Sequence, residues 1–182
     1  MEARLLLWVH DHTHPILDAV FVASHYAGTG WFAVVLVLSM AAWHGTRGER
    51  RRALTWLGVG AGVYLLQLAL KVAIGRPRPG LWLDHAWAVA PGSCAFPSGH
   101  ALMAAALYPL LALSLSALRP RARTWYWLGA VAAALWVGAG RVYLGVHWPS
   151  DVLAGWGLGA ALVWLAVRGG RPDALRQPQS GA

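Results

Sequence analysis

Four strongly apolar runs, residues 53–75, 101–118, 124–140 and 151–167, constrain this chain more than anything else in it. A helix needs roughly 17–25 such residues to cross the hydrocarbon of a bilayer. There, every backbone polar group must be satisfied within the protein, which leaves only helices and closed barrels. A fifth run, residues 21–43, is interrupted by His25 and by Gly28-Thr29-Gly30. We place the first span at residues 29–44 and read residues 13–27 as a separate short amphipathic helix lying in the interface, with a sixth full span as the alternative. The expected fold is an all-α polytopic membrane helical bundle of about five to six transmembrane helices with an N-terminal interfacial helix. It forms one domain over 1–182: an N-terminal interfacial segment 1–28, a bundle 29–168 and a cytoplasmic tail 169–182. Composition agrees, with 58% hydrophobic and 12% charged residues against about 25% charged in soluble domains. The first residues lack a basic start and a small-residue cleavage site, so no removable signal peptide is expected.

The arginines orient the bundle. With five spans, the loop carrying Arg47, Arg50, Arg51 and Arg52, the loop carrying Arg119, Arg121 and Arg123, and the tail with Arg168, Arg171 and Arg176 share one side. The positive-inside rule makes that side cytoplasmic, and the net charge of +8 sets topology rather than marking a nucleic-acid partner. Segments 76–98 and 141–149 then face the extracytoplasmic side of the cell membrane. Gly58 with Gly62 and Gly155 with Gly159 are small residues at a spacing that lets helices approach closely. Pro109 is expected to kink its span. Trp31, Trp43, Trp125, Trp127 and Trp148 suit the aromatic belt.

Most of the readable polar chemistry lies in three short clusters at the edges of these runs. Lys71 precedes Arg76-Pro77-Arg78-Pro79, a stiffened segment on the side where the positive-inside trend disfavours arginine. Arg78 offers a planar fork for phosphate oxygens and Lys71 a point charge. Pro97-Ser98-Gly99-His100 opens the next span. Ser98 stands as its N-cap, the free N–H groups of the first turn favour an anion, and Gly99 permits close approach to the backbone. His100 sits where a leaving oxygen would be protonated. In the third cluster Arg141 is followed by His147 and then Asp151, the last two four residues apart at a helix start, so that a carboxylate meets an imidazole. A carboxylate so placed fixes the tautomer and stabilises the imidazolium.

Together the clusters bring cations, imidazoles and one carboxylate to one depth, which suits holding and attacking a phosphate. His100, His147 and Asp151 are also conceivable zinc ligands. Three neighbouring cations repel a divalent ion and favour a phosphoryl group, so the expectation is chemistry without a metal or other cofactor. Cys94 is the sole cysteine, which excludes intramolecular disulfides and a paired-cysteine metal site. His10, His12, His14, His25, His44 and His85 show no partner at a catalytic spacing and are set aside.

In order and spacing, Lys71 to Arg78-Pro79, Pro97-Ser98-Gly99-His100, and Arg141 to His147 to Asp151 resemble the three signature motifs of the type 2 phosphatidic acid phosphatase superfamily, the membrane lipid phosphate phosphatases. The resemblance covers residues 71–151. One departure is Gly140, where the family pattern usually has serine before the arginine. The resemblance implies that His147 attacks phosphorus to give a phosphohistidine, that Asp151 orients and stabilises it, and that His100 protonates the departing lipid oxygen. Lys71, Arg78, Arg141, Ser98 and the Gly99 backbone would hold the phosphoryl oxygens. The implied substrate is a lipid phosphate or diphosphate: undecaprenyl diphosphate, phosphatidylglycerol phosphate or phosphatidic acid. Rival readings are a phosphotransferase or vanadate-binding oxidase on the same site, or a protein that binds or transports lipids by their phosphate headgroup. Transport leaves the pairing of His147 with Asp151 unexplained. In the segment 80–96, Trp82, Trp87 and Phe96 suggest either an interfacial entrance for a lipid tail or an ordinary interfacial loop.

Overall fold

The computed structural model describes residues 1–79 and 93–169. Among them are seven α-helices: α1 (Glu2–Asp11), α2 (Pro15–Ala27), α3 (Gly30–Thr46), α4 (Arg50–Ile74), α5 (Gly99–Leu118), α6 (Arg123–Tyr143) and α7 (Pro149–Arg168). A 3₁₀ turn, Pro120–Ala122, links α5 to α6.

Helix α5 is the hub. Eleven of its residues are buried, against three in the longer α4 and five in α7. One of its faces packs Leu102, Met103, Ala106, Leu107 and Leu110 against Val37 and Ala41 of α3, Trp56, Val59 and Val63 of α4, and Val163 of α7. The other sets Ala104, Tyr108 and Ala112 against Ala130, Ala134 and Val137 of α6. The run of alanines lets neighbouring helices close in, which matters where lipid removes the hydrophobic drive for helix association. Outward-facing Leu54, Leu65, Val72, Leu135, Leu153 and Leu165 stay exposed, as a lipid-facing surface requires.

The glycine pairs behave differently from one another. A Cβ on Gly155 would stand 2.7 Å from the carbonyl of Ser98, and one on Gly159 would run into the carbonyl of Leu102. This pair therefore seats α7 directly on α5. Gly58 has open space in front of it and Gly62 meets only the side chain of Leu162. The close approach on α4 falls instead at Gly60, against Val37 of α3. The expected Gly58/Gly62 seam is thus displaced, because α4 presents the Gly60 face to its partner. Helix α5 continues through Pro109 as a single helix.

By length and apolarity α4, α5 and α7 can each cross a membrane, and α2 with α3 makes a fourth candidate bent by 48°. Helix α6 is 21 residues long, enough to span; its tryptophans, tyrosines and terminal arginines lower its hydropathy. The bend falls at the Gly28-Thr29 interruption, where Thr29 Oγ1 accepts from Phe32 N and starts α3 afresh. The segment read as an interfacial helix over 13–27 is indeed helical, but its setting is more intimate. Helix α2 packs along α6 with Ser24 fully buried, and Tyr108 Oη of α5 donates to its Ala27 carbonyl at 2.7 Å.

The basic segments gather at one end. Arg51 Nη2 donates to the Gly169 carbonyl, joining the start of α4 to the end of α7. There, buried His44 contacts Glu49 and Ser114, and Trp56 Nε1 donates to the same Ser114 hydroxyl. The three polar clusters lie at the opposite end.

Candidate active site

Four helix ends and two loops build the site. Lys71 sits in the last turn of α4, which stops at Gly75 in the left-handed conformation (φ 60°) that glycine tolerates. Lys71 Nζ donates to the Cys94 carbonyl at 3.2 Å. Beyond the stop, Arg78 is held on three counts: Nε donates to Ser93 Oγ (3.0 Å), while Nη1 donates to the Val146 carbonyl (2.6 Å) and lies 3.1 Å from His147 Nε2. Ser98 caps α5, its Oγ accepting from Ala101 N. Its own N–H donates to the Asp151 carbonyl at 3.0 Å and ties the N-termini of α5 and α7 together.

Lys71, Arg78, Gly99, His100, Arg141 and His147 line one cavity of about 670 Å³. Ser98 and Asp151 are not on its wall; both are fully buried behind it. His147 is 3% exposed and Arg141 2%, so the cavity has a dry polar end. His100 Nε2 and the Nε and Nη2 of Arg141 are buried there without hydrogen-bond partners. Buried nitrogens of this kind are costly unless something bonds them, and a phosphoryl group supplies the acceptors. The remainder of the cavity is apolar, running between Ala33, Val34, Val37 and Leu38 of α3 and Gly60, Val63 and Tyr64 of α4.

The pairing of His147 with Asp151 is looser than the spacing suggests. Nδ1 stands 3.6 Å from Asp151 Oδ2, beyond hydrogen-bond range. The carboxylate is held elsewhere: Oδ1 accepts from Arg76 Nη1 at 2.7 Å and Oδ2 from Trp148 N at 2.9 Å. Arg76 extends the network to α1, since its Nη2 pairs with Glu2 (2.9 Å), whose other oxygen accepts from Ser150 N.

Burial, reinforced by the Arg78 charge and opposed by Asp151, pushes the His147 imidazole down to about 4. The ring is therefore neutral at neutral pH, with Nδ1 towards the carboxylate and Nε2 towards Arg78. Burial also holds Arg78 below the usual guanidinium range. The His147 shift carries a sign for stability. Between about pH 6.5 and about pH 4 the unfolded chain takes up a proton that the folded one refuses, so this residue's share of stability falls as the pH drops through that window. Carbethoxylation of His147 by diethyl pyrocarbonate, followed by peptide mass spectrometry, should titrate with a midpoint near 4; a midpoint at 6.5 would show that the ring is solvated.

Sequence spacing missed two residues at this site. His25, set aside above, has Nδ1 2.9 Å from Arg141 Nη1, and its ring stacks on His100 with centroids 5.1 Å apart. It is 116 residues from Arg141 in the chain, so no local pattern could reveal it. Gln67 of α4 lies on the cavity wall, and its amide fills the space that a side chain on Gly99 would need. Arg76, noted above in the stiffened segment with Arg78, pairs with Asp151 and Glu2. Among the described residues no three His, Cys, Asp or Glu side chains gather as a metal-ligand set. Trp82 and Trp87, suggested as a tail entrance, fall outside the described residues.

Known proteins are similar to this chain in sequence and in fold. The model of the PAP2 superfamily matches residues 52–172. Phosphatidylglycerophosphatase B of Bacillus subtilis (strain 168) is 36% identical over 155 residues, covering 83% of this chain and 74% of its own. Undecaprenyl-diphosphatase of Sulfolobus acidocaldarius is 40% identical over 78 residues, covering 43% of this chain and 34% of its own. Among solved structures, the transmembrane PAP2 type phosphatidylglycerolphosphate phosphatase from Bacillus subtilis superposes with a TM-score of 0.79 at 32% identity, over 92% of this chain and 83% of that one. With a family model spanning most of the chain, and a relative this similar along most of its own length, the chain belongs to the PAP2 superfamily.

Proposed function

We propose that this membrane lipid phosphatase cleaves a lipid phosphate monoester or diphosphate through a phosphohistidine on His147. The supporting observation is a single cavity whose polar end combines His147, unpartnered nitrogens of His100 and Arg141, and the cations Lys71 and Arg78, and whose other end is apolar. A phosphorylated lipid has the same two halves.

The reaction follows from the groups at hand. Arg141, Lys71 and Arg78 take the phosphoryl oxygens, with the N–H groups at the start of α5, which Ser98 caps, directed to the same charge. As Arg78 Nη1 turns to a phosphoryl oxygen it releases His147 Nε2, whose lone pair attacks phosphorus. The bond to the lipid oxygen breaks, and His100, protonated against the phosphate dianion, gives that oxygen its proton. Asp151 balances the positive charge left on His147. Water then adds to phosphorus and returns a proton to His100, the P–N bond breaks, and inorganic phosphate leaves. Cleaving the terminal phosphate of a diphosphate follows the same course, with a lipid phosphate as leaving group.

Phosphate release from detergent-solubilised protein, assayed over undecaprenyl diphosphate, phosphatidylglycerol phosphate and phosphatidic acid, tests the reading and ranks the substrates. Release from none of them would leave only lipid binding or transport; phosphate passed to an alcohol in preference to water would indicate a transferase. Activity is expected to persist in excess EDTA and to be inhibited by vanadate at the phosphate site. Loss on chelation, restored by added Zn²⁺ or Mg²⁺, would require a metal in the mechanism.

The basic end of the bundle supports a cytoplasmic placement for the loops at 45–52 and 119–123 and for the tail. His147 and His100 then face the extracytoplasmic side of the cell membrane, and the substrate is presented in the outer leaflet. In intact spheroplasts an impermeant maleimide should leave Ala122→Cys unlabelled until permeabilisation. Prompt labelling from outside would invert the topology. Cys94, on the backbone that receives Lys71, is the complementary reporter for the active face.

A further inference from the structure

Helix α2 contributes more than packing to this site. Because a guanidinium only donates, the 2.9 Å contact between Arg141 Nη1 and His25 Nδ1 requires a lone pair on Nδ1 and places the His25 proton on Nε2. That contact engages one end of the guanidinium. The nitrogens left over, Nε and Nη2, are both buried without partners, and they form the lateral edge of the fork, whose two N–H bonds run parallel and match two oxygens of one phosphoryl group. His25 thus selects which edge of Arg141 faces the cavity. The opposite choice would present the Nη1/Nη2 end and shift the oxyanion relative to His147.

The helix carrying His25 is seated by residues whose small size serves this contact. A Cβ on Gly140, next to Arg141, would collide with Ser24 Oγ. Ser24 is fully buried, and its hydroxyl donates to the Phe21 carbonyl at 2.6 Å. One helical turn on, a Cβ on Gly28 would strike the His100 ring and Val137. The end of α2 therefore touches both the phosphate-binding arginine and the proton-donating histidine, and it does so through gaps left by glycine.

We infer that His25 is a positioning residue for phosphoryl recognition: it fixes Arg141 so that the Nε/Nη2 edge meets the substrate, and Gly140 with Ser24 sets the depth at which α2 delivers it. The inference rests on the phosphatase reading, which supplies the phosphoryl group. The lipid chain plays no part in it, so the affinity for a small oxyanion should report it directly.

The test compares His25→Ala, His25→Asn, Arg141→Lys and the double variant His25→Ala/Arg141→Lys. It measures kcat and KM for the best lipid phosphate, inhibition by vanadate, and thermal stability. His25→Ala is expected to weaken vanadate inhibition on the order of tenfold and to lower kcat/KM similarly. His25→Asn should recover much of both, since an amide oxygen can accept from Nη1 while providing no acid or base. In the Arg141→Lys background, removing His25 should add little, because the edge it selects is gone. Gly140→Ala should reproduce the His25→Ala defect, and Ser24→Ala/Gly140→Ala should relieve it. Unchanged vanadate inhibition in His25→Ala, fully additive losses in the double variant, or failure of asparagine to rescue would each overturn the assignment. If the wild-type protein releases phosphate from no lipid, calorimetric binding of vanadate to the same variants still decides the role of His25 and separates its failure from that of the phosphatase reading.

Discussion

His147→Ala should release no measurable phosphate and form no acid-labile, base-stable phosphoprotein, while its helices melt close to the wild-type temperature. Loss of a nucleophile in a constellation acting as a unit costs on the order of 10⁶-fold in the serine protease case, and residual turnover from oxyanion binding alone would lie below most phosphate assays. The fold should tolerate the change because the imidazole is not what anchors the start of α7. Asp151 keeps Arg76 and the Trp148 N–H, and its carbonyl keeps the Ser98 N–H. Arg78 keeps the Val146 carbonyl and Ser93. Substantial turnover in this variant would remove His147 from the nucleophile's role.

Asp151→Asn should lower kcat by several orders of magnitude with little change in KM; the serine protease analogue falls about 10⁴-fold. The reason differs in part from that template. With 3.6 Å between Nδ1 and the carboxylate, Asp151 acts on His147 first through charge and only secondarily through a hydrogen bond that has yet to close. An asparagine oxygen can still accept from Trp148 N, but the amide carries no charge, so Arg76 would be left with Glu2 alone and would no longer be fully balanced beside the phosphorylated imidazole. Rapid-quench measurement should place the defect in phosphoenzyme formation. A loss of only a few-fold would reduce Asp151 to a cap for α7 paired with Arg76.

What could be read from the sequence and what could not divide along a physical line. Lys71, Arg78, Gly99, His100, Arg141 and His147 share a cavity wall as expected, because each lies at the end of an apolar run and the bilayer forces such ends to one depth. The break at Gly28-Thr29 was visible for the same reason: glycine and a capping threonine are local signals. Side-to-side contacts between helices were legible only at Gly155 and Gly159. Periodicity does not say which face of α4 meets α3, so the seam falls at Gly60 rather than at Gly58 and Gly62. Nothing local links His25 to Arg141, or Gln67 to Gly99. The departure at Gly140 looked from the sequence like a missing hydroxyl; in three dimensions it is the space into which Ser24 fits.

The bond from Arg78 Nη1 to His147 Nε2 bears on selectivity. Fit alone would admit any amphiphile with a long apolar tail, since the greater part of the cavity wall is indifferent to chemistry. While Arg78 covers its lone pair, however, the imidazole is no nucleophile, and an uncharged ester or amide entering the cavity offers nothing strong enough to draw the guanidinium away. On the mechanism proposed above, only a ligand bearing its own anion would expose the attacking atom, so the enzyme would discriminate by unmasking: the phosphate would be both the group to be cleaved and the key that arms the residue that cleaves it.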